Sequence, residues 1–136
     1  MTPQTLAQVH AAAFTDGRPW RADEFAALLD STGVILLGDA RSFLLARLIA
    51  GEAEVLTVAT RPDFQRQGLA RANLAAFLNT LKDQDAACAF LEVAEDNIPA
   101  KSLYQNEGFA EIARRPDYYA RPDGAKTAAV IMRCDL

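Results

Sequence analysis

The stretch Val55 to Arg71 constrains the fold more than any other part of the chain. Val55 to Thr60 is apolar and β-branched and stops at Arg61-Pro62-Asp63, which reads as a strand end and a turn. From Gly68 to about Lys82 a helical period sets in, with Ala70, Leu74, Phe77, Leu78 and Leu81 on one face. Between strand and helix lies Gln65-Arg66-Gln67-Gly68. The amides there have no helical partner, the positive end of the helix dipole sits on them, and Arg66 and Arg71 add two full charges. Such a turn is an anion cradle, and its glycine lets a phosphate come close to the backbone.

The ligand is narrowed by exclusion. A mononucleotide P-loop needs a lysine and a Ser/Thr after its last glycine, for the phosphates and for magnesium. Here Gly68 is followed by Leu69-Ala70, so no magnesium ligand is offered. A dinucleotide turn needs three glycines and a later acidic residue, and this turn has one glycine. What remains is a pyrophosphate held by backbone amides without metal, or else an ordinary capped strand-to-helix turn.

With 136 residues the chain is expected to form one domain, residues 1–136, able to build a single core without disulfides or metals. Apolar residues make up 51% and the charges are mixed, so the chain is globular rather than disordered. Its longest apolar runs, such as Ser42 to Ala46, are interrupted by Arg41 and Arg47, far short of a membrane span. Met1-Thr2-Pro3-Gln4 lacks the basic start and apolar block of a secretory signal. Cys88 and Cys134 stand in no metal or redox spacing, which suits a reducing cytoplasm. One histidine and two cysteines cannot form a zinc site without carboxylates, so no metal is expected. The net charge of −4 disfavours nucleic acid and leaves basic polypeptides or amines as partners.

Thr2 to Phe14 is helix-like, and Asp16-Gly17-Arg18-Pro19 breaks it. A short second helix runs from about Arg21 to Leu29. Three strands follow, Val34 to Leu37, Phe43 to Ala50 and Glu52 to Thr60, with turns short enough for an antiparallel meander. After the motif helix, Ala87 to Ala94 is nearly continuous apolar, as for a strand covered on both faces. Asp96-Asn97 caps a helix from Ile98 to Asn106, ended by Gly108. Strands Phe109 to Arg114 and Ala128 to Arg133 close the chain, joined by a loop from Pro116 to Lys126. A helix joining the two middle strands makes them a parallel pair, through a right-handed crossover, inside an otherwise antiparallel sheet.

Two side chains stand out for proton transfer. Glu92 interrupts the most apolar strand; it is either a partly desolvated carboxylate with a raised pKa, suited to general-base work, or a solvated residue at the strand's end. Tyr104 lies on the following helix and offers a neutral phenol donor, unless it is a core tyrosine with its hydroxyl at the surface. His10 reads as a surface or core-edge residue, Cys88 as a small hydrophobe, and Glu52 and Glu54 as a solvated pair that can also attract a basic peptide. Trp20 and Tyr118-Tyr119 are core anchors or groove walls in equal measure.

Gln65-Arg66-Gln67-Gly68-Leu69-Ala70 resembles the Gln/Arg-x-x-Gly-x-Gly/Ala signature of the GCN5-related N-acetyltransferases (GNAT), in which this turn binds the pyrophosphate of acetyl-coenzyme A. The element order ααβββ-α-β-α-ββ is that family's order too. The resemblance implies an α/β (α+β) fold with a mixed, mostly antiparallel central sheet, helices on both faces, and two parallel central strands that splay apart to admit the pantetheine arm. Leu91-Glu92-Val93, Asn97, Leu103-Tyr104 and Gly108-Phe109 are similar to one branch, the ribosomal-protein-alanine N-acetyltransferases (RimI). Arg18-Pro19-Trp20 with Phe25, and Arg114-Arg115 before Tyr118-Tyr119, also resemble that branch. By this resemblance Glu92 is the base and Tyr104 the acid; Val58, Thr60 and Asn97 contact the cofactor arm, and Gln65 to Arg71 hold its pyrophosphate. The implied acceptor is a protein N-terminus, an alanine of a small-subunit ribosomal protein. A small amine is the other acceptor class, and a non-catalytic acyl-coenzyme A sensor the other kind of protein. Three departures stand out: Ala70 where glycine is frequent, Ile98-Pro99 for a small pair, and Lys126-Thr127 at an often acidic position.

Overall fold

A computed structural model describes residues 1–14 and 18–136. The Asp16-Gly17 part of the first helix break lies outside the described residues. Helix α1 (Pro3–Ala13) starts where Thr2 accepts a hydrogen bond from the Thr5 amide at 3.1 Å, with a proline in its first turn. Helix α2 (Ala22–Leu29) starts where the Glu24 carboxylate accepts from the Arg21 amide at 3.0 Å. Strands β1 (Val34–Gly38), β2 (Ser42–Ile49) and β3 (Glu52–Thr60) form the expected antiparallel meander. Ala50 and Gly51 turn β2 into β3, both at positive φ (54° and 79°), the left-handed pair that matches strand twist in a two-residue hairpin. Helix α3 (Leu69–Asp83) leads to β4 (Cys88–Ala94), helix α4 (Ile98–Asn106) to β5 (Ala110–Ala120), and β6 (Lys126–Asp135) completes the sheet.

The six strands lie in the order β1-β2-β3-β4-β6-β5, and every pairing is antiparallel except β3 with β4. That parallel pairing is short: Glu52 opposite Cys88, Ala53 opposite Ala89, Glu54 opposite Phe90. Beyond Glu54 the two strands part. A bulge sits at the same place, since Ala46 and Leu45 of β2 face Val55 and Thr57, leaving Leu56 as the extra residue of β3. Bulges bend a strand and raise its twist, so the fork in the sheet coincides with a built-in kink.

Each face carries its own core. On one side α3 and α4 pack Leu74, Phe77, Leu78, Leu81 and Tyr104 against Leu44, Ala46, Ala53, Val55, Leu91, Val93 and Val130. On the other, α1 and α2 pack Leu6, Val9 and Phe25 against Phe43, Leu45 and Ala59. Phe25, Phe43 and Phe77 are completely buried, each contributing roughly 2–3 kcal/mol of apolar burial. The second core reaches strands β1 to β3 only, so the same face of β4 and β6 is left without a helix over it.

Three sequence expectations need correction. The Pro116 to Lys126 segment is mostly strand: β5 continues to Ala120 and β6 begins at Lys126, leaving only residues 121–125 as the turn. Pro116 and Asp117 are absorbed by an irregularity between Arg115 and Tyr119, with Asp117 at φ 54°, and the ladder resumes at Tyr119, opposite Thr127. Strand β4 is not covered on both faces: Leu91 and Val93 are buried but Glu92 between them is exposed. His10 is neither at the surface nor at the core's edge but fully buried. None of the described helices is long and apolar enough to cross a membrane.

Candidate active site

The turn before α3 has the geometry of an anion cradle. A 3-10 turn (Pro62–Phe64) follows β3, and the side-chain amides of Gln65 and Gln67 donate to the carbonyls of Thr60 and Asp63, each at 3.3 Å, pinning the loop. Arg66 (φ 62°) and Gly68 (φ 78°) are both left-handed, which turns successive amides toward one side. Gly68 is the N-cap of α3 and carries no side chain to cap it; the first helical bond is made by Ala72 to the Gly68 carbonyl at 3.0 Å. The amides of Leu69, Ala70 and Arg71 are therefore not used within the helix. A Cβ built on Gly68 meets nothing within 4 Å, so the space above it is open. Arg66 and Gln67 are exposed, while Arg71 is joined to Glu107 at 3.2 Å, which leaves Arg66 as the freer of the two cations.

From the cradle the gap between β3 and β4 runs back toward the fork. Val58 and Thr60 lie in the splayed part of β3, Val58 paired with Leu44 and Thr60 with Ser42 on the closed edge only. The hydroxyls of Thr60 and Ser42 are 2.8 Å apart, and Asn73 of α3 donates to the Ser42 carbonyl at 3.2 Å, fixing the helix to this end of the strand. Asn97 caps α4, its side chain accepting from the Ala100 amide at 3.3 Å, so one of its polar groups already has a structural task.

Glu92 and Tyr104 lie on opposite faces of the sheet. Tyr104 belongs to the core under α3 and α4, 92% buried and edge-on to Phe109 with centroids 6.0 Å apart. Burial pushes its phenol up to about 12, so it stays protonated and a donor across the physiological range. Glu92 points to the other face. Desolvation by burial, expected from its apolar flanks, is not its condition: its side chain is 32% exposed, because period-2 alternation puts it on the face that α1 and α2 leave uncovered. Its neighbour is a charge, the Arg115 guanidinium at 3.7 Å.

Glu92 lines a small cavity of about 100 Å³ together with Glu54, Phe90, Leu91, Arg115 and Ile131. Arg115 also lies 5.4 Å from the Tyr118 ring, and Tyr118 is edge-on to Tyr119. Sequence reasoning singled out the arginine and tyrosine pairs but not the contact of Arg115 with Glu92; only the pairing of β5 and β4 with the intervening β6 could have revealed it. It read Glu54 as a solvated charge that can also attract a basic peptide, and Glu54 is exposed and lines this cavity. Trp20 lines a different, wider hollow of about 480 Å³ with Glu24, Ala27 and Leu28, and neither Tyr118 nor Tyr119 lines either of the two hollows. Behind Trp20 its backbone amide donates to His10 Nδ1 at 3.1 Å, and the imidazole stacks on the indole at 5.1 Å. Among the described residues no group of three or more His, Cys, Asp or Glu side chains is placed to hold a metal ion.

Comparison with known proteins agrees with this geometry. A Haemophilus ducreyi protein named [Ribosomal protein bS18]-alanine N-acetyltransferase is 37% identical over 91 residues, covering 67% of this chain and 63% of that protein. The chain thus spans less than two thirds of the length of that relative. The N-alpha-acetyltransferase RimI of Mycobacterium tuberculosis is 32% identical over 97% of this chain and 85% of its own. The crystal structure of the ribosomal-protein-S18-alanine N-acetyltransferase from Escherichia coli superposes with a TM-score of 0.88 at 28% identity, covering 98% of this chain and 86% of that one. The model of the acetyltransferase (GNAT) family matches residues 7–109, so the forked sheet and its cradle are those of a relative of these enzymes: the chain belongs to the GNAT family.

Proposed function

We propose that this chain, acting as a single domain over residues 1–136, transfers the acetyl group of acetyl-coenzyme A to the N-terminal alanine amine of a ribosomal protein. The observation that carries the reading is the fork: an anion cradle at Gly68 and a gap beyond Glu54, flanked by a carboxylate on one face and a protonated phenol on the other. The names of the similar enzymes support the acceptor. The cradle suits a pyrophosphate, because it offers amides and Arg66, and Gly68 is followed by Leu69-Ala70 rather than by the Ser/Thr of a magnesium-dependent phosphate loop.

Acetyl-coenzyme A supplies an acetyl group already activated as a thioester. The chain's residues do the rest. The amides from Gln67 to Arg71 bind the pyrophosphate, and the open edge of β3 around Val58 and Thr60 orients the arm and donates to the developing oxyanion. Glu92, on the uncovered face, takes a proton from the acceptor amine as its nitrogen bonds to the acetyl carbon. Tyr104, from the other face, gives a proton to the sulfur as the carbon–sulfur bond breaks. Arg115 sets a guanidinium 3.7 Å from the Glu92 carboxylate and so helps to fix its position. Transfer is direct, within a ternary complex and without a covalent enzyme intermediate, in keeping with a cavity lining that includes no Cys, Ser or Lys.

The test is acetyl transfer to a synthetic peptide that begins with alanine, read by mass spectrometry beside a panel of polyamines and amino acids. Acetylation of the peptide's α-amine, with release of free thiol, is the expected result. Acetylation of small amines alone would move the enzyme to the other acceptor class, and cofactor binding with no transfer to any amine would make it a sensor.

A further inference from the structure

We propose that Glu54 is the docking carboxylate for the acceptor's protonated amine, leaving Glu92 to take the proton; this rests on the transfer reading above. The two carboxylates belong to one cavity. Glu54 faces Phe90 in the last parallel pair before the fork, and Glu92 is two residues further along β4, so both side chains rise on the same face with Phe90. Their electrostatic situations differ. Glu92 has Arg115 at 3.7 Å, while Glu54 has no ion-pair partner among the described residues. The cavity's own lining carries two carboxylates and one guanidinium, with Arg47 of β2 opposite Glu54 in the strand register but outside that lining, so an ammonium that docks here meets a wall with an excess of negative charge. Phe90, Leu91 and Ile131 form the rest of the wall, and Glu54 itself is exposed, so its carboxylate is open to an incoming peptide end.

The chemistry requires such a group. An α-amine has a pKa near about 7.7–8.0, so at neutral pH it arrives chiefly as ammonium and must be held before it is deprotonated. A base already engaged by an arginine is poorly placed to capture a second cation, whereas a free carboxylate at the stem of the fork is well placed. Thr57 adds a second observation on this face. It is paired with Leu45, whose side chain belongs to the α1–α2 core, it is 93% buried, and its hydroxyl meets no partner. Thr57 does not line the cavity itself; its hydroxyl is an unused hydrogen-bonding group on the same face of β3, three residues along from Glu54.

Calorimetry on the protein loaded with coenzyme A separates the possibilities, using a peptide that begins with alanine and its des-amino counterpart. The wild-type protein is expected to bind the free-amine peptide at least about tenfold tighter than the des-amino peptide. Glu54→Gln should lose most of that preference while Glu54→Asp keeps part of it. In turnover, Glu54→Gln should raise the KM for peptide about tenfold with kcat within about threefold, the pattern of lost ground-state binding. A Glu54→Gln variant that keeps the preference, or whose kcat falls at unchanged KM, overturns the assignment. So does a wild-type protein that binds neither peptide. If the wild type prefers the ammonium but never acetylates it, the transfer reading fails and the docking role stands.

Discussion

His10 gives the fold a titration that can be read directly. It is completely buried in α1, its Nδ1 accepts from the Trp20 amide, its Nε2 has no partner, and Phe14, Trp20 and Phe25 surround the ring. Burial pulls its pKa down to about 4, with Glu24 opposing. A histidine kept neutral in the fold but free to protonate when unfolded makes the unfolded state bind more protons between those two values. Stability from this group is therefore complete above about pH 6.5 and is lost as pH falls from there toward 4. Worked between pH 7.0 and pH 5.5, the loss is about 1.2 kcal/mol, or a drop in urea midpoint on the order of 0.5–1 M. His10→Asn keeps an acceptor for the Trp20 amide and removes the titration. Urea unfolding of both proteins at both pH values is the assay: the variant, though less stable overall, should lose about 1 kcal/mol less than wild type over this interval. Equal losses in the two proteins would refute the reasoning. At pH 5.5 Glu24 and Asp39, held down to about 2 by Arg18 and Arg41 respectively, are still ionised and do not confuse the comparison.

Other expectations follow from the cradle and the two proton-transfer groups. Gly68→Glu places an anion in the open space over the α3 amides, so the variant should fold yet bind no acetyl-coenzyme A by calorimetry, and wild-type binding should need no divalent metal. Glu92→Gln should lower turnover roughly 10²–10⁴-fold, remove an ascending limb from the pH–rate profile, and leave cofactor affinity near wild type; an active variant with an unchanged profile would return Glu92 to a structural role. Tyr104→Phe keeps the ring against Phe109, so thermal unfolding should shift little while thiol release falls; a destabilised but fully active variant would defeat its assignment as acid.

Much of this was legible in the residues, and the limits were physical. Gln65 to Gly68 could be read because helix N-termini, glycine and charge act locally, and the same is true of Asn97 as a cap. The parallel pair followed from chain connectivity alone. Exposure of Glu92 could not be read, because it depends on how far α1 and α2 extend across a sheet whose width only the tertiary fold sets. His10 was misjudged for a similar reason: Trp20, which stacks on it, and Phe25 come from beyond the first helix, and helical periodicity says nothing about contacts of that kind. Pro116 signalled a loop by its missing donor, yet an irregular register lets a strand carry it at the sheet's edge.

The strand order also bears on how the protein comes to be folded. Strands β1 to β3 are drawn from residues 34–60 and strands β4 to β6 from residues 88–135, so each half of the sheet is contiguous in sequence. The β1–β2, β2–β3 and β5–β6 hairpins are local and close cheaply; pairing β4 with β6 closes a long loop but gains seven backbone pairs, whereas joining the halves closes the chain from Thr60 to Cys88 for only three. Glu54 comes from the first half, and Glu92 and Arg115 from the second. A chain with either half folded alone would hold part of the cavity's charge and none of its fork. Competence thus arrives with the docking of the two halves, and a lesion at the three-pair seam would be felt in activity before it was felt in the secondary structure of either half.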